Sequence, residues 1–490
     1  MTSATAPRPD VFADRSLFGH PRGLGLLFVT EMWERFSYYG MRALLVLYLV
    51  NAQHWTAEKA ATLYGNYTML VFLTPLIGGW LADQFIGTRR SLVIGGIIIS
   101  LGHFTLALQG DAAFYTGLTL IIIGTGFFKA NVSTQVGQIY ADGDARRDAG
   151  FTVFYVGINT GAFFGPIVCG YLAASPSWGW HYGFAAAGVG MVLGLITYVA
   201  GREKYLPGIG LPVSKAASAA AKASFPATNP MHGIGGAVAG SVLGWLGGGW
   251  LGLMMGAVIG GALGIAILGS HGDERRRVIA IFIVAFFIVF FWAAYEQAGS
   301  SMNLFADRNI DLTLGGIVSH PIPASWFQSA NPFYILVFSP LFAWIWMTLG
   351  RKKKEPSTAM KMVIGLFLLG VGFLFMVIGA KTADQGLKVS WFWLMAAYMF
   401  HTLGELCLSP IGLSYVTKIA PARFASLMMG VWFLSNAVAN KLGGTIAAMV
   451  EKIPTLTQFY TIFVVSSFSA AFLMLLCVPL LKRLTAGVKA

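Results

Sequence analysis

Long apolar segments recur along the whole chain, and they limit the possible folds more than any other feature. A helix needs about 20 mainly apolar residues to cross the hydrocarbon core of a bilayer. Segments of that length lie near 24–51, 59–85, 91–109, 112–140, 149–175, 181–200, 278–300, 326–349, 359–380, 389–417, 423–449 and 456–481, and the block 233–269 has room for two more. The chain is therefore predicted to be an all-α polytopic membrane protein with 14 transmembrane helices.

The overall composition excludes a soluble multidomain enzyme. Hydrophobic residues make up 56% of the chain and charged residues 11%, whereas soluble domains carry about 25% charged residues. The cysteines, Cys169, Cys407 and Cys477, lie far apart, with no metal-ligand spacing and no disulfide framework. Neither a nucleophile–base pair nor a metal-ligand cluster is recognisable, so we expect no metal, no cofactor and no enzymatic activity.

The basic residues predict the orientation in the membrane. The net charge is +13, from 33 Lys and Arg against 20 Asp and Glu. With both termini in the cytoplasm, 24 of those 33 basic residues fall in cytoplasmic segments, five outside and four within spans, as the positive-inside rule requires. We therefore expect a multi-pass protein of the plasma (inner) membrane with membrane lipid, not nucleic acid, as its surroundings, and with no cleavable signal sequence.

The spans group as six, two and six. We predict an N-terminal six-helix bundle over 1–201, a cytoplasmic linker with an inserted two-helix hairpin over 202–272, and a C-terminal six-helix bundle over 273–490. Within the insertion, glycine recurs every fourth residue from Gly236 to Gly264. That spacing allows helices to approach closely in lipid, so we interpret the insertion as a packed hairpin and not as a transport element.

The first span carries charges that lipid would not tolerate. At 100° per residue, Glu31, Arg35, Tyr38 and Arg42 fall within about 40° of one helical line, and Glu34 lies about 60° to its side. Ionisable residues inside a membrane are costly and mark functional sites by default. The stripe must therefore face a cavity or a polar interface.

Later spans add further ionisable residues: Lys129 in the fourth, Glu296 in the seventh, and Glu405 in the tenth. The cations Arg35, Arg42 and Lys129 and the carboxylates of Glu31, Glu34, Glu296 and Glu405 form a nearly neutral set, in which protonation of a carboxylate would release its cationic partner. Such a set suits a proton-coupled transporter, although ion pairs that only hold helices together would look the same. His401, also in the tenth span, fits helix packing equally well.

Four sequence blocks resemble the signatures of the proton-coupled oligopeptide transporter family, which lies within the major facilitator superfamily. Residues 31–40 (EMWERFSYYG) resemble its first-helix signature, and 78–87 (GGWLADQFIG) its loop motif between helices two and three. Residues 154–161 (FYVGINTG) and 404–410 (GELCLSP) resemble its fifth- and tenth-helix signatures. The count of 14 spans resembles bacterial members with a two-helix insertion.

The resemblance implies two six-helix bundles, alternating access driven by a proton gradient, and a role for each matched residue. The implied proton-coupling residues are Glu31, Glu34, Arg35, Lys129 and Glu296. For the peptide, Arg42 and Lys129 would face the carboxylate, Glu405 the α-amino group, Asn159 and Asn331 the backbone, and Tyr38, Tyr67, Trp292 and Trp432 the side chains. Arg42 with Glu296, and Lys129 with Glu405, would form the outward and cytoplasmic gating pairs, and Asp83 would steady the cytoplasmic gate.

Two departures from the family pattern qualify these roles. The second span has no histidine where mammalian members use one, so protonation should fall on carboxylates. The loop motif has a degraded counterpart in the second half, where Trp346 aligns with Asp83.

The sequence thus predicts a monomeric proton-coupled symporter for di- and tripeptides and peptide-like small molecules. A dipeptide zwitterion needs fixed charges of both signs, which the two halves provide. The alternatives are a same-fold transporter of another substrate, such as nitrate or a peptide-like drug, and a membrane receptor without transport. A lone anion would have no use for the Glu405 carboxylate, and a receptor would not explain paired charges on both halves.

Overall fold

The structure is a computed structural model that describes residues 11–141, 143–212 and 229–486, and this part of the chain is almost entirely helical. The α-helices are α1 (Arg22–Leu47), α2 (Ala57–Leu81), α3 (Thr88–Leu106), α4 (Asp111–Gln138), α5 (Arg146–Ala174), α6 (Trp180–Tyr205), α7 (Pro230–Leu263), α8 (Gly272–Tyr295), α9 (Ser301–Asn309), α10 (Ala330–Arg351), α11 (Thr358–Ala383), α12 (Trp391–Ile419), α13 (Ala425–Ala447) and α14 (Leu456–Leu484). Short π-helical turns extend α1, α2 and α7 to Ala52, Ile86 and Leu268.

Every predicted span contains a helix, so the expected all-α polytopic fold class is confirmed. Eight of the described helical segments are long and apolar enough to cross a membrane by length and composition. The first helix falls outside that set because its carboxylates and guanidiniums lower its hydropathy. The sequence did not predict the short helix α9 or the 3₁₀-helix Ala324–Ser329.

The chain divides into two compact units. Unit 1 comprises Met1–Lys215, Ala298–Val337 and Lys388–Trp391, and unit 2 comprises Ala216–Gln297, Phe338–Leu387 and Phe392–Ala490. The predicted boundaries of the two six-helix bundles, at 201 and 273, remain a prediction. The linker residues 213–228 lie outside the described residues.

In unit 1, glycines on α5 bring its backbone against α1. A methyl group on Gly161 would overlap the carbonyl oxygen of Met32, and one on Gly165 would lie 2.5 Å from the carbonyl oxygen of Phe36. On α1, a methyl group on Gly40 would lie 2.6 Å from the Cys169 sulfur. Small residues permit this approach. The α5-facing side of α1 is therefore closed by main chain, which leaves its charged stripe to other neighbours.

Arg89, at the start of α3, anchors the segment that follows α6. Its Nε donates to the Ile209 carbonyl at 3.0 Å, and its Nη2 donates to the Leu206 carbonyl. Its Nη1 donates to Glu203 Oε1 at 3.0 Å. The preceding Gly87 has a φ of +77° and so supplies a conformation that glycine adopts without strain. These contacts fix the loop motif to the predicted cytoplasmic end of unit 1.

A segment from the second half of the chain, Ala298–Val337, is built into unit 1, and we call it the docked segment. Asn303 Nδ2 donates to the Ala43 carbonyl of α1 at 2.9 Å. On α5, Trp326 Nε1 donates to the Ile167 carbonyl at 3.0 Å, and Ser329 Oγ donates to the Phe163 carbonyl at 2.7 Å. The docked segment therefore holds the ends of α1 and α5 that we predict to be on the outer side.

In unit 2, α11 and α14 pack side by side through aromatic rings. The Phe373 ring stacks on Phe463 with centroids 4.8 Å apart, and Phe367 lies 5.3 Å from Phe468. The residue number rises along α11 while that of its contact on α14 falls, so the two helices are antiparallel.

The inserted block, within α7, folds back on itself as a hairpin with two legs. A methyl group on Gly236, Gly240 or Gly244 would overlap the carbonyl oxygen of Gly260, Gly256 or Gly252, respectively. The glycines of one leg therefore lie against those of the other, and Gly249 between the legs has a φ of +57°. The repeated glycines therefore serve the contact between the two legs of the hairpin.

Candidate functional site

The charged stripe of α1 forms a buried trio of two carboxylates and one guanidinium. The Arg35 Nε lies 2.7 Å from Glu31 Oε1 and 2.7 Å from Glu34 Oε2. The fractional exposures are 2% for Glu31, 1% for Glu34 and 5% for Arg35. The i, i+4 spacing on the helix brings Glu31 and Arg35 together, as the sequence predicts. With two negative charges and one positive, the trio has a formal charge of −1 when all its members are ionised.

Arg42 lies farther along the same stripe and contacts two tyrosines. Its Nε donates to the Tyr64 hydroxyl of α2 at 2.5 Å, and its guanidinium lies 5.7 Å from the centroid of the Tyr39 ring. A methyl group on Gly299 of the docked segment would overlap the Tyr64 hydroxyl and lie 3.2 Å from Arg42 Nε. Gly299 therefore allows the docked segment to close against this pair.

Lys129 of α4 extends the charged cluster of unit 1. Its ammonium lies 3.7 Å from the centroid of the Phe72 ring, a cation–π contact, and it interacts electrostatically with Glu34. Tyr67 of α2 is 2% exposed and interacts electrostatically with both Arg42 and Glu34. Unit 1 thus brings most of the predicted proton-coupling residues into one buried cluster.

Unit 2 contributes a carboxylate among aromatic rings. The Tyr295 hydroxyl of α8 donates to Glu405 Oε2 of α12 at 2.5 Å. Tyr295 also packs edge-on against Trp292, with centroids 5.0 Å apart. Glu405 is 8% exposed. The residue predicted to bind an amine is therefore held by a phenol, beside an indole predicted to line the pocket.

The other predicted residues have varied surroundings. Asn159 is buried, and its Nδ2 donates to the Tyr155 carbonyl of its own helix at 2.9 Å. Trp432 is buried, with its ring close enough to Gly412 to exclude a side chain there. Glu296 is buried at the start of a 3₁₀ turn after α8, Asn331 is half-buried in the docked segment, and Asp83 is exposed at the π-helical end of α2. Their roles remain predictions.

The sequence did not indicate the importance of three residues, Tyr64, Arg89 and Gly299. Tyr64 lies three residues before Tyr67 on α2, and this i, i+3 relation could have indicated a shared face. The Arg89 clamp and the docking of Gly299 depend on contacts distant in sequence, which no local pattern reports. Within the described ranges, no group of three or more His, Cys, Asp or Glu side chains could hold a metal ion.

Comparisons with known proteins identify the relatives of this chain. Residues 89–465 match the model of the POT family. The uncharacterized transporter YclF of Bacillus subtilis (strain 168) is 42% identical over 495 residues, covering 97% of each chain. The di-/tripeptide transporter of Lactococcus lactis subsp. cremoris is 35% identical over 493 residues, covering 96% of this chain and 97% of that protein.

A solved structure shows the same fold. The crystal structure of a POT family transporter in complex with 5-aminolevulinic acid superposes with a TM-score of 0.81 at 31% identity, over 96% of this chain and 99% of that chain. The expected major facilitator fold class is thereby confirmed, and the family's members are transporters, not enzymes. The protein described here belongs to the POT family.

Proposed function

We propose that the protein is a proton-coupled symporter that imports di- and tripeptides by alternating access. The name of the Lactococcus relative supports the substrate class. The charged residues of both units support the coupling and the substrate chemistry.

The trio on α1 is the observation that carries proton coupling. Two buried carboxylates share the Arg35 guanidinium, and Glu34 also interacts with Lys129, so these four residues are formally neutral when all are ionised. Unbalanced charge is expensive inside a membrane protein. A proton on Glu34 removes one negative charge, which weakens the hold of Arg35 and Lys129 on Glu34 and leaves one cation without a counter-charge. Proton binding can therefore be linked to the freedom of these cations to meet a substrate.

The charge of each unit suits one end of a peptide. In unit 1 the cations Arg35, Arg42 and Lys129 outnumber the carboxylates Glu31 and Glu34 by three to two, which favours an anionic group. In unit 2, Glu405 favours an ammonium group. We propose that Arg42 and Lys129 bind the peptide carboxylate and Glu405 its amine. Asn159 and Asn331 would bind the backbone, while Tyr38, Tyr67, Trp292 and Trp432 accept varied side chains.

The remaining predictions belong to this proposal. Peptide-like small molecules fit the same charges, and 5-aminolevulinic acid, bound in the related structure, carries an amine and a carboxylate. Glu296 with Arg42, Lys129 with Glu405, and Asp83 would act in gating. We propose a monomer in the plasma (inner) membrane, with both termini cytoplasmic and protons as the coupling ion.

Uptake into liposomes tests the proposed function. Purified protein should accumulate labelled dialanine when the proton gradient is directed inward, and collapsing the gradient should remove the accumulation. Glu34→Gln keeps the side chain's shape but cannot cycle a proton. Driven uptake by this variant should therefore fall by at least about tenfold, while counterflow exchange persists.

Two comparisons make the result specific. Glu58→Gln, at an exposed position on α2, is the matched control and should transport like the wild type. Glu405→Gln should weaken dialanine uptake. Undiminished uptake after collapse of the gradient would refute coupling, and transport of nitrate without any response to dialanine would favour the alternative substrate class.

A further inference from the structure

His401 is a buried polar residue that the proposed function leaves without a role. It lies on α12 and is 1% exposed. Neither of its ring nitrogens has a hydrogen-bond partner within the described part of the chain. Leaving a buried polar group unpaired costs free energy. A partner that arrives in another state of the protein would remove that cost.

The surroundings of His401 are shaped to hold an imidazole. A methyl group on Gly372 of α11 would overlap the imidazole Cδ2 and lie 2.7 Å from Nε2. The Phe373 ring lies 4.5 Å from the imidazole, centroid to centroid, and the Tyr295 ring lies 6.4 Å away. Glu405 follows one helical turn later on the same face. The imidazole therefore borders the Tyr295–Glu405 pair.

The hydrogen bond between Tyr295 and Glu405 competes with the proposed substrate. The Tyr295 hydroxyl donates to Glu405 Oε2 at 2.5 Å, which is one of the two oxygens that an ammonium group would approach. When the peptide amine binds, the displaced phenol needs another acceptor, because a buried hydroxyl without one is unfavourable. A neutral imidazole always has one unprotonated nitrogen, which is an acceptor.

We propose that His401 is a positioning residue for amine binding. When the peptide ammonium takes Glu405, the Tyr295 hydroxyl turns and donates to an imidazole nitrogen of His401. The exchange keeps the Tyr295 hydroxyl paired in both states, with Glu405 as its acceptor without peptide and His401 as its acceptor with peptide, and it gives the imidazole a partner only when peptide is bound. This inference rests on the proposed function, because it assumes that Glu405 binds the amine.

A double-mutant cycle tests the exchange. His401→Phe keeps a ring in the same space but removes both nitrogens, and Tyr295→Phe removes the hydroxyl. By calorimetry in detergent, His401→Phe should weaken dialanine binding about 3- to 10-fold, the range of one net hydrogen bond. In the Tyr295→Phe background the same change should have no effect, because the donor is absent. His401→Asn, which can accept a hydrogen bond, should restore part of the affinity.

His103→Phe is the matched control. His103 on α3 is also fully buried with both ring nitrogens unpartnered in the described structure, but it lies in unit 1 on a helix without a neighbouring glutamate. The His103→Phe variant should leave the affinity for dialanine unchanged. Thermal unfolding of each variant separates loss of fold from loss of binding, and His401→Phe should be at least as stable as the wild type.

The outcomes distinguish this inference from the proposed function. If the wild type binds dialanine and His401→Phe binds it equally well, the imidazole only packs and the inference is wrong. The inference is also wrong if His401→Phe weakens binding equally with and without the Tyr295 hydroxyl. If the wild type binds no peptide at all, the proposed function is wrong, and the inference that depends on it falls with it.

Discussion

Arg35 illustrates how a single residue controls the electrostatics of the first helix. Its guanidinium is buried and holds two buried carboxylates, so removing it would leave two negative charges without their nearest cation. Loss of one partner from a buried ion pair costs about 3–5 kcal/mol. Variants that neutralise a carboxylate are therefore better probes of coupling than variants that remove the guanidinium.

Gly161 is the residue at which the packing of α1 against α5 is tightest. Gly161→Ala would place a methyl group into the Met32 carbonyl oxygen, and the backbone must shift to accommodate it. We expect a loss of about 1–3 kcal/mol and a lower midpoint of thermal unfolding in detergent. Gly235→Ala is the control, because a methyl group there has no neighbour within 4 Å. Equal midpoints for the two variants would contradict the packing.

Asp14, in the segment before α1, gives a prediction about pH. The backbone N–H of Arg22 donates to its carboxylate at 2.8 Å, and this bond, with that of the Ser16 hydroxyl, lowers the pKa of Asp14 from 3.8 to about 2. A lowered folded-state pKa contributes stability above the unfolded value, and that stability is lost as pH falls toward the folded value.

Asp14→Ala should therefore lower the thermal midpoint slightly and by the same amount from about pH 5 to about pH 8, where the carboxylate is ionised in both states. Thermal unfolding across that range checks this. A gap between variant and wild type that narrows steadily toward pH 5 would show that Asp14 titrates much higher than its hydrogen bonds imply.

At the scale of elements, the docked segment contacts α5 through two hydrogen bonds. Their spacing fits both the repeat of the 3₁₀-helix that carries the donors and the repeat of the α-helix that carries the acceptors. Trp326 and Ser329 are three residues apart on a 3₁₀-helix, where such residues lie one above the other. Their acceptors, the carbonyls of Ile167 and Phe163, are four residues apart on α5 and so lie about one helical turn apart. The two repeats have nearly equal lengths, so both bonds form without distortion.

Ser329→Ala should loosen this docking. Loss of one such bond costs about 0.5–1.5 kcal/mol, and the amides of residues 324–329 should exchange their hydrogens faster, as measured by mass spectrometry. Ser466→Ala is the matched control, since the Ser466 hydroxyl donates to the Phe463 carbonyl of its own helix. Unchanged exchange in the Ser329 variant would show that the bond does not hold the segment.

Local pattern explains which elements were predictable. Helix α11 is a long apolar run, and the hairpin follows from glycine spacing, because both signals are local in sequence. The Glu31–Arg35 contact was predictable for the same reason. The docking of Ala324–Ser329 on α5, the Arg89 clamp and the Tyr295–Glu405 bond join residues more than 100 positions apart. Only the folded chain brings such groups together.

At the scale of the whole molecule, the distribution of basic residues predicts one orientation, which labelling can test. Ser177 is exposed between α5 and α6, and Lys352 is exposed after α10. An impermeant thiol reagent added to intact cells should label Ser177→Cys but not Lys352→Cys, because we place these positions on opposite sides. Cys169 and Cys407 are buried and Cys477 is half-buried, so the wild type serves as background. Reversed labelling would overturn the predicted topology.

The hairpin of α7 has a consequence for how such chains can be built. Its two legs meet glycine to glycine, while side chains such as Val242 and Leu246 point outward and are 58% and 78% exposed. A module sealed by its own main chain makes few demands on the shape of its neighbours, and lipid accepts its apolar exterior as it stands. We therefore expect that two such helices can be inserted into the middle of a transporter, or removed from it, with little change to the helices on either side.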